Sequence, residues 1–445
     1  MKKYFIYISL FTAVILAACN SGSGTTSTPS SDPTISSLTF GAQDSLPGLA
    51  KAVFTIEERT DTGLIYNVDS ILFGTRINKV VPAFRFNYTP ASATIYTPSQ
   101  TISLTGTDTI DFSERPMYIK VIAEDLSATK WYAIEVNVHQ VDPDLYNWEK
   151  LSDNIYPTDG AGQQLVIIQD LLCIYVNYGT HNVAFVSEDG VKWKEHTVKG
   201  LPDNCDVRAI LNTPDSLWYV DEKNVYTSVD GENWQTTDIS TESYSMVSTL
   251  FHFNDSTWAI VQDDATGKYV LATAQSASQW VLHDTLPDNF PVSDFATTTF
   301  LSATNRRRAM VMGGFSAKGE SLNTRWNVEF VPGQGYRWLN FSIAQPGFQE
   351  LTGGALIAYA DRFFLFGGVN ANNQTGEYQL LESTDEGINW SVPDTLHNQL
   401  PASYTPRTKP SVAVDSRQNI YLVGGQSRTQ VFSDIYRGRL NSIDW

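Results

Sequence analysis

Seven tryptophans recur at nearly regular intervals through the second part of this chain. They are Trp148, Trp193, Trp234, Trp280, Trp338, Trp390 and Trp445, with spacings of 45, 41, 46, 58, 52 and 55 residues. Each interval holds one largely apolar run: Leu171–Val176, Leu217–Val220, Thr257–Val261, Ala309–Met312, Phe363–Phe366 and Ile420–Val423. A repeat of about 40–50 residues with four short strands is the size of one β-propeller blade. Six intervals with six such runs therefore predict a six-bladed β-propeller over residues 142–445.

The sequence also suggests how the ring of blades closes. The segment Tyr146–Leu151 precedes the first full repeat and has the pattern of an outermost blade strand. The sequence reaches Trp445 where the outermost strand of the last blade should begin. We therefore expect the segment around Trp148 to complete the last blade by pairing near Asp434–Leu440, which would leave no long open edge.

A short motif accompanies several of these tryptophans. The segments S-E-D-G-V-K-W (187–193), S-V-D-G-E-N-W (228–234) and S-T-D-E-G-I-N-W (383–390) resemble the Asp-box of sialidase-type propellers. In such a turn the aspartate accepts backbone N–H bonds, the glycine takes a positive φ and the tryptophan packs at the blade edge. The residues concerned are Ser187, Asp189, Gly190, Trp193, Ser228, Asp230, Gly231, Trp234, Ser383, Asp385, Gly387 and Trp390. We assign them a structural role away from the propeller axis.

Glycine doublets follow the later apolar runs directly. Gly313-Gly314, Gly367-Gly368 and Gly424-Gly425 recur at spacings of 54 and 57 residues. This arrangement resembles kelch propellers, in which such a doublet ends the second strand of a blade. The resemblance implies a kelch-like propeller with Asp-box turns.

Residues 34–141 read as short strands ahead of the propeller. The clearest hairpin joins Tyr118–Ala123 to Trp131–His139, and the second arm alternates apolar and polar positions. The ending V-x-A-E-D-…-K-W-Y-x-I-x-V resembles the Ig-like or cadherin-like domains of envelope lipoproteins. An all-β chain is therefore predicted, with a small β-sandwich before the propeller.

The N-terminus has the pattern of a targeting segment. Residues 1–18 combine two lysines with a short apolar stretch, which is typical of a signal peptide. The quartet Leu16-Ala17-Ala18-Cys19 resembles the lipobox of bacterial lipoproteins, which implies a lipid on Cys19. Residues 19–33 are rich in Ser, Thr, Gly and Pro and predict a flexible tether. The whole arrangement resembles Bacteroidetes-type envelope lipoproteins, which implies an anchor in the outer membrane. Both the periplasmic face and the cell-surface face of that membrane agree with the sequence.

Charge and rare residues narrow the possible partners. The formal net charge is -18, which opposes binding to nucleic acid because phosphates require clustered Lys and Arg. We predict no metal site, because the His and Cys residues lack ligand spacing. We also predict a monomer without cofactor. Cys173 and Cys205 could pair in an exported protein, although a buried thiol inside an apolar run is commoner.

A ligand site is expected where the loops that enter the innermost strands converge on the axis. Candidate residues in those loops are Asp206, Arg208, Tyr244, Asp294, Gln349, Glu350, Tyr404 and Arg407. Arg208 and Arg407 are the foremost candidates, since arginine can grip a carboxylate with two hydrogen bonds. No catalytic residue is assigned. The interpretation is a non-catalytic binding lipoprotein for a glycan, peptide or partner protein, and the alternative is a carbohydrate-active enzyme resembling sialic acid mutarotases or sialidases.

Overall fold

The structure, a computed structural model, describes residues 28–41, 48–160, 162–342, 350–370 and 380–441. The predicted signal peptide, Cys19 and Trp445 lie outside these residues. The chain divides into two compact units, Met1–Asp142 and Pro143–Trp445. Strands make up both units, and the helices of the described residues are 3-10 turns at Leu49–Lys51 and Val207–Ala209. None of the described helices has the length and hydrophobicity to cross a bilayer.

The N-terminal unit is built from two sheets around one core. Its described strands are Ile35–Phe40 (β1), Phe54–Glu57 (β2), Thr62–Asn67 (β3), Pro82–Phe86 (β4), Ser92–Tyr96 (β5), Thr101–Ser103 (β6), Tyr118–Ile122 (β7) and Thr129–Glu135 (β8). Strands β1 and β4 pair antiparallel, and the others form a sheet in the order β2-β3-β8-β7-β5-β6. Tyr132, Ile134 and Val136 are buried in the shared core, which is the face that the alternating pattern predicted.

The second unit contains six antiparallel sheets among its described residues, named here blades 1 to 6 in chain order. Blade 1 is Gly162–Ile168 (β10), Leu171–Asn177 (β11), Asn182–Ser187 (β12) and Lys194–Thr197 (β13), and blade 2 is Leu211–Asn212 (β14), Leu217–Asp221 (β15), Asn224–Ser228 (β16) and Gln235–Asp238 (β17). Blade 3 is Tyr244–Phe253 (β18), Ser256–Asp263 (β19), Tyr269–Ser276 (β20) and Gln279–Thr285 (β21), and blade 4 is Ala296–Leu301 (β22), Arg307–Met312 (β23), Arg325–Val331 (β24) and Gly335–Asn340 (β25). Blade 5 is Ala355–Tyr359 (β26), Arg362–Phe366 (β27) and Leu380–Ser383 (β28), and blade 6 is Ser411–Val414 (β29), Ile420–Val423 (β30) and Ile435–Leu440 (β31) with Tyr146–Ser152 (β9). The all-β propeller fold predicted from the repeat is confirmed.

The first strands of the six blades contact one another in a ring. Each contacts the first strand of the next blade, and β29 of blade 6 contacts β10 of blade 1. Side chains join neighbouring blades: Thr249 Oγ1 donates to the Ala209 carbonyl at 2.7 Å, and the Leu165 N–H donates to Ser411 Oγ at 2.7 Å. The first strands therefore surround a common axis.

The apolar core lies between consecutive blades. The six apolar runs found in the sequence are the second strands, and their side chains fill the gaps between sheets. In one such cluster Tyr421 and Val423 of blade 6 pack with Ile174 and Val176 of blade 1. Cys173 is also buried in a cluster of this kind, and both Cys173 and Cys205 are free thiols.

Strand β9 completes blade 6 from the other end of the propeller sequence. It pairs antiparallel with β31, with Tyr146 opposite Leu440, Trp148 opposite Gly438 and Ser152 opposite Ile435. This is the pairing expected for the segment around Trp148. Both ends of the propeller sequence are thus held in one sheet, so unfolding at either end exposes the same blade.

The three S-x-D turns have the same pattern of hydrogen bonds, and each turn follows the third strand of its blade. In blade 1 the Asp189 carboxylate accepts the backbone N–H groups of Val191 and Lys192 at 2.8 and 2.9 Å. The N–H of Gly190 donates to Ser187 Oγ at 2.9 Å. Equivalent bonds recur around Asp230 and Asp385. These carboxylates are occupied within their own turns, consistent with a structural role.

Candidate ligand-binding site in the axial cavity

A cavity of about 480 Å³ lies at the ends of the first strands where the chain enters them. All six blades contribute to it, some through the first strand itself and others also through the loop that enters that strand. Its charged lining residues are Asp206, Arg208, Asp221, Asp294 and Lys409. The volume falls in the range of about 300–1,000 Å³ that is usual for small-molecule sites.

Arg208 is held in the cavity by two aspartates. Asp206 caps the short helix Val207–Ala209 by accepting the Arg208 N–H, which fixes the start of the arginine side chain. The guanidinium then donates to both oxygens of Asp206, at 3.0 Å from Nε and 2.9 Å from Nη2. Its Nη1 donates to Asp294 Oδ1 of blade 4 at 2.8 Å. Three of its N–H groups therefore already donate hydrogen bonds within the protein.

Asp294 links the loops of three alternate blades. Besides Arg208 from blade 2, its carboxylate lies 3.4 Å from Nζ of Lys409 in blade 6. Asp294 and Lys409 both have positive φ, 49° and 53°, a conformation that is costly for residues other than glycine. The Lys409 N–H donates to the Gly353 carbonyl, and the Gly353 N–H donates to the Asp294 carbonyl at 3.0 Å. Hydrogen bonds between blades thus hold two strained residues in place.

Two charged groups of the site have shifted pKa values. Burial opposes the charge of Arg208, but the Asp206 and Asp294 carboxylates outweigh burial and raise its pKa. Burial raises the pKa of Asp221, and the neighbouring Glu222 carboxylate adds to the effect. Arg208 is therefore stabilised as a cation, whereas the negative charge of the Asp221 carboxylate is poorly compensated by its surroundings.

The rest of the lining combines apolar residues with uncharged side chains that can form hydrogen bonds. Gln163, Gln164, Ser248 and Ser293 contribute amide and hydroxyl groups. Tyr219 and Phe295 are the aromatic residues of the described lining, which contains no histidine. In the residues that the structure describes, no group of His, Cys, Asp and Glu is arranged to hold a metal ion. The site can therefore present many hydrogen-bond donors and acceptors to one small ligand.

Three of the predicted site residues, Asp206, Arg208 and Asp294, come together in the cavity. Glu350 is exposed and is not part of the lining, and Gln349 lies outside the described residues. Sequence reasoning missed Asp221, Lys409 and the two glutamines.

The placement of Tyr244, Tyr404 and Arg407 corrects the sequence-based expectation. Tyr244 is buried between blades 2 and 3, and this burial raises its pKa to about 12. Tyr404 is buried between blades 5 and 6. Arg407 is 1% exposed and paired with Asp434 inside blade 6. In that loop it is Lys409, two residues later, that reaches the axis.

A signal for Asp221 was present in the strand pattern. It ends the second strand of blade 2, and β15 runs antiparallel to β14. The end of a second strand therefore lies beside the beginning of the first strand, at the mouth. Inspection of the polar residues that end the second strands would have found it.

Comparison with known proteins places both units in one family. Residues 142–445 match the DUF6242 beta propeller domain, and residues 26–136 match the DUF6242 N-terminal domain, a domain of unknown function. No match was found among curated proteins.

Solved structures show weak similarity to the chain. The structure of YjhT has 12% identity and a TM-score of 0.44, covering 64% of this chain and 95% of that chain. The Penicillium chrysogenum alpha-L-arabinanase in complex with arabinobiose has 10% identity and a TM-score of 0.42, covering 65% and 98% respectively. A streptogramin B lyase has 10% identity and a TM-score of 0.35, covering 67% and 98%. Since the match to the propeller model spans more than half of the sequence, this chain belongs to the DUF6242 family.

Proposed function

We propose that this protein is a non-catalytic binding lipoprotein of the cell envelope, and that its propeller holds a small glycan fragment in the axial cavity. The observation that carries the proposal is the cluster of Arg208, Asp294 and Lys409, which joins three alternate blades across the cavity. Rigid, paired side chains of this kind orient a polar ligand without first having to be ordered. The lipobox resemblance at Cys19 supports the membrane anchor.

The chemistry of the lining favours a hydroxyl-rich ligand over an anionic one. Planar carboxylate, guanidinium and amide groups offer adjacent donors and acceptors that suit neighbouring hydroxyls. Three carboxylates face two cations in the cavity, and Arg208 is the one arginine of the described lining. A sialic acid carboxylate would meet this acidic surround without a cluster of free arginines. A neutral sugar would not incur that repulsion.

One observation favours the carbohydrate-active enzyme as a second candidate. Asp221 has a raised pKa, and its charge in turn helps to raise the pKa of Tyr219, after the larger effect of burial. A carboxylic acid and a phenol in one cavity could serve as an acid–base pair. Release of product from a panel of glycosides, lost in the Asp221→Asn variant, would support this candidate over simple binding.

Calorimetric titration of the purified full chain with neutral hexoses and disaccharides tests the binding proposal. We expect saturable binding to the wild type, weakened at least tenfold in Arg208→Gln because the clamp with Asp206 and Asp294 is lost. Arg337→Gln is the matched control, since Arg337 is exposed on the outermost strand of blade 4. Equal affinities of the two variants, in proteins with native melting profiles, would contradict a site in the axial cavity.

A further inference from the structure

Asp221 differs from the other carboxylates of the cavity. Within the described residues no hydrogen bond or ion pair to its side chain is found, whereas Asp206 and Asp294 both bind Arg208. It is partly buried and lines the cavity beside Tyr219 and Val220. Its carboxylate is therefore available to a ligand that enters the cavity.

The cations of the lining are already engaged with other acids. Arg208 donates three hydrogen bonds to Asp206 and Asp294, and Lys409 lies 3.4 Å from Asp294. Asp206 and Asp294 therefore balance the two cations, which leaves the charge of Asp221 as the excess negative charge of the cavity. A buried or half-buried carboxylate is stabilised by a partner that carries a positive charge.

The surroundings of Asp221 add negative rather than positive charge. The titratable groups whose electrostatic interaction with it is resolved are Glu222, Tyr219, Tyr226 and Cys205. None of these supplies a cation. Burial and Glu222 raise the pKa of Asp221, so a positive group placed against it would gain from restoring its ionised form.

We propose that Asp221 forms a subsite for a protonated amine, and that the saccharide held in the axial cavity is an amino sugar. The ammonium group would sit against the Asp221 carboxylate, while the ring hydroxyls contact the Arg208 and Asp294 cluster. This inference rests on the proposed function and names the class of its ligand. A charge-assisted hydrogen bond of this kind contributes more than a neutral one.

Calorimetric titration of the full chain with glucosamine, galactosamine and mannosamine, each compared with its neutral parent hexose, tests the inference. At pH 6 the sugar amine is protonated, because amines of this kind titrate near pH 8. We expect at least one hexosamine to bind about tenfold more tightly than its parent hexose. Asp221→Asn should abolish that difference, so that a hexosamine and its parent hexose bind this variant with equal, measurable affinity.

Glu222→Gln is the matched control, because it removes the same charge from an exposed neighbour outside the lining. It should retain the preference for the amine. The preference should also fall as the pH is lowered through the pKa of Asp221, and Asp221→Asn should show no such fall. Equal binding of amino and neutral sugars would overturn the amine subsite and leave the proposed function standing. Absence of binding by every sugar would overturn both.

Discussion

Arg407 stabilises blade 6 from inside. Its guanidinium donates to both carboxylate oxygens of Asp434, at 2.5 and 3.2 Å, and to the Gly424 carbonyl at 2.9 Å. It also lies 4.3 Å from the ring centre of Tyr404 and 3.9 Å from that of Phe432. Every face of the group is thus occupied by the protein. Removal of Arg407 would leave the buried Asp434 carboxylate with the Tyr436 hydroxyl at 3.2 Å and Lys150 at 3.6 Å, and loss of one partner of a buried ion pair is strongly destabilising.

Removal of the Arg407 side chain should therefore reduce stability and not act through the ligand site. Arg407→Ala should lower the free energy of unfolding by about 3–5 kcal/mol, as measured by urea denaturation. Arg437→Ala is the control, because Arg437 forms an ion pair with Glu149 on the surface that should be worth about 0–1 kcal/mol. Similar losses in the two variants would show that the Asp434 pair does not support the blade.

The contrast between Arg407 and Lys409 shows where sequence reasoning reached its limit. The sequence correctly indicated that the loop before β29 approaches the axis, since loops entering the first strands must converge there. Which side chain points into the cavity depends on the positive φ of Lys409 and on its bond to Gly353 in the preceding blade. The bond between Lys409 and Gly353 joins residues more than about 50 positions apart, so no local sequence pattern could have predicted it. Asp206 and Arg208 were predictable because their bond is local to one turn.

The glycine doublets are the element that sets the distance between neighbouring blades. Gly367 directly follows the second strand of blade 5 with φ 65°, and a Cβ atom there would collide with the Arg407 carbonyl in the loop that enters blade 6. Gly313 has the same relation to the Leu351 carbonyl one blade earlier. The sequence predicted these positions because a doublet repeats with the strands. It could not show that the missing side chains make room for the next blade.

Gly367→Ala should accordingly be much worse than alanine at another glycine with the same backbone conformation. Gly319 supplies that comparison, with φ 78° and no atom within 4 Å of the place where a Cβ would lie. The left-handed backbone should cost about 1–2 kcal/mol at either position. Overpacking against Arg407 should add about 1–3 kcal/mol at Gly367 alone. If Gly367→Ala and Gly319→Ala shifted the denaturation midpoint equally, blades 5 and 6 would not need to approach each other closely at Gly367.

At the scale of the whole molecule, the propeller is stabilised by closure of its ring. Among the described strands β9 is hydrogen-bonded to β31 at one edge, and its side chains also pack on blade 5. Tyr146 contacts Phe364 edge-on at 5.3 Å between ring centres, and Trp148 contacts Phe366 at 5.8 Å. The tryptophan repeat predicted this strand because Trp148 occupies the position taken by Trp338 in blade 4, on the outermost strand. Without β9, blade 6 would expose a strand edge and blade 5 an apolar face.

Deletion of residues 143–152 from the full chain should therefore produce a propeller that melts at lower temperature or associates through the open edge of β31. A synthetic peptide of residues 143–152 should bind to the deleted protein, because an extended peptide can restore both the backbone bonds and the apolar cover. The peptide should raise the melting temperature and return the protein to a monomer, as followed by calorimetry and light scattering. The same peptide with Tyr146 and Trp148 replaced by serine should fail, since it keeps the backbone bonds but loses the contacts with Phe364 and Phe366. A deleted protein that stays monomeric with an unchanged melt would show that the ring is held closed by the first strands alone.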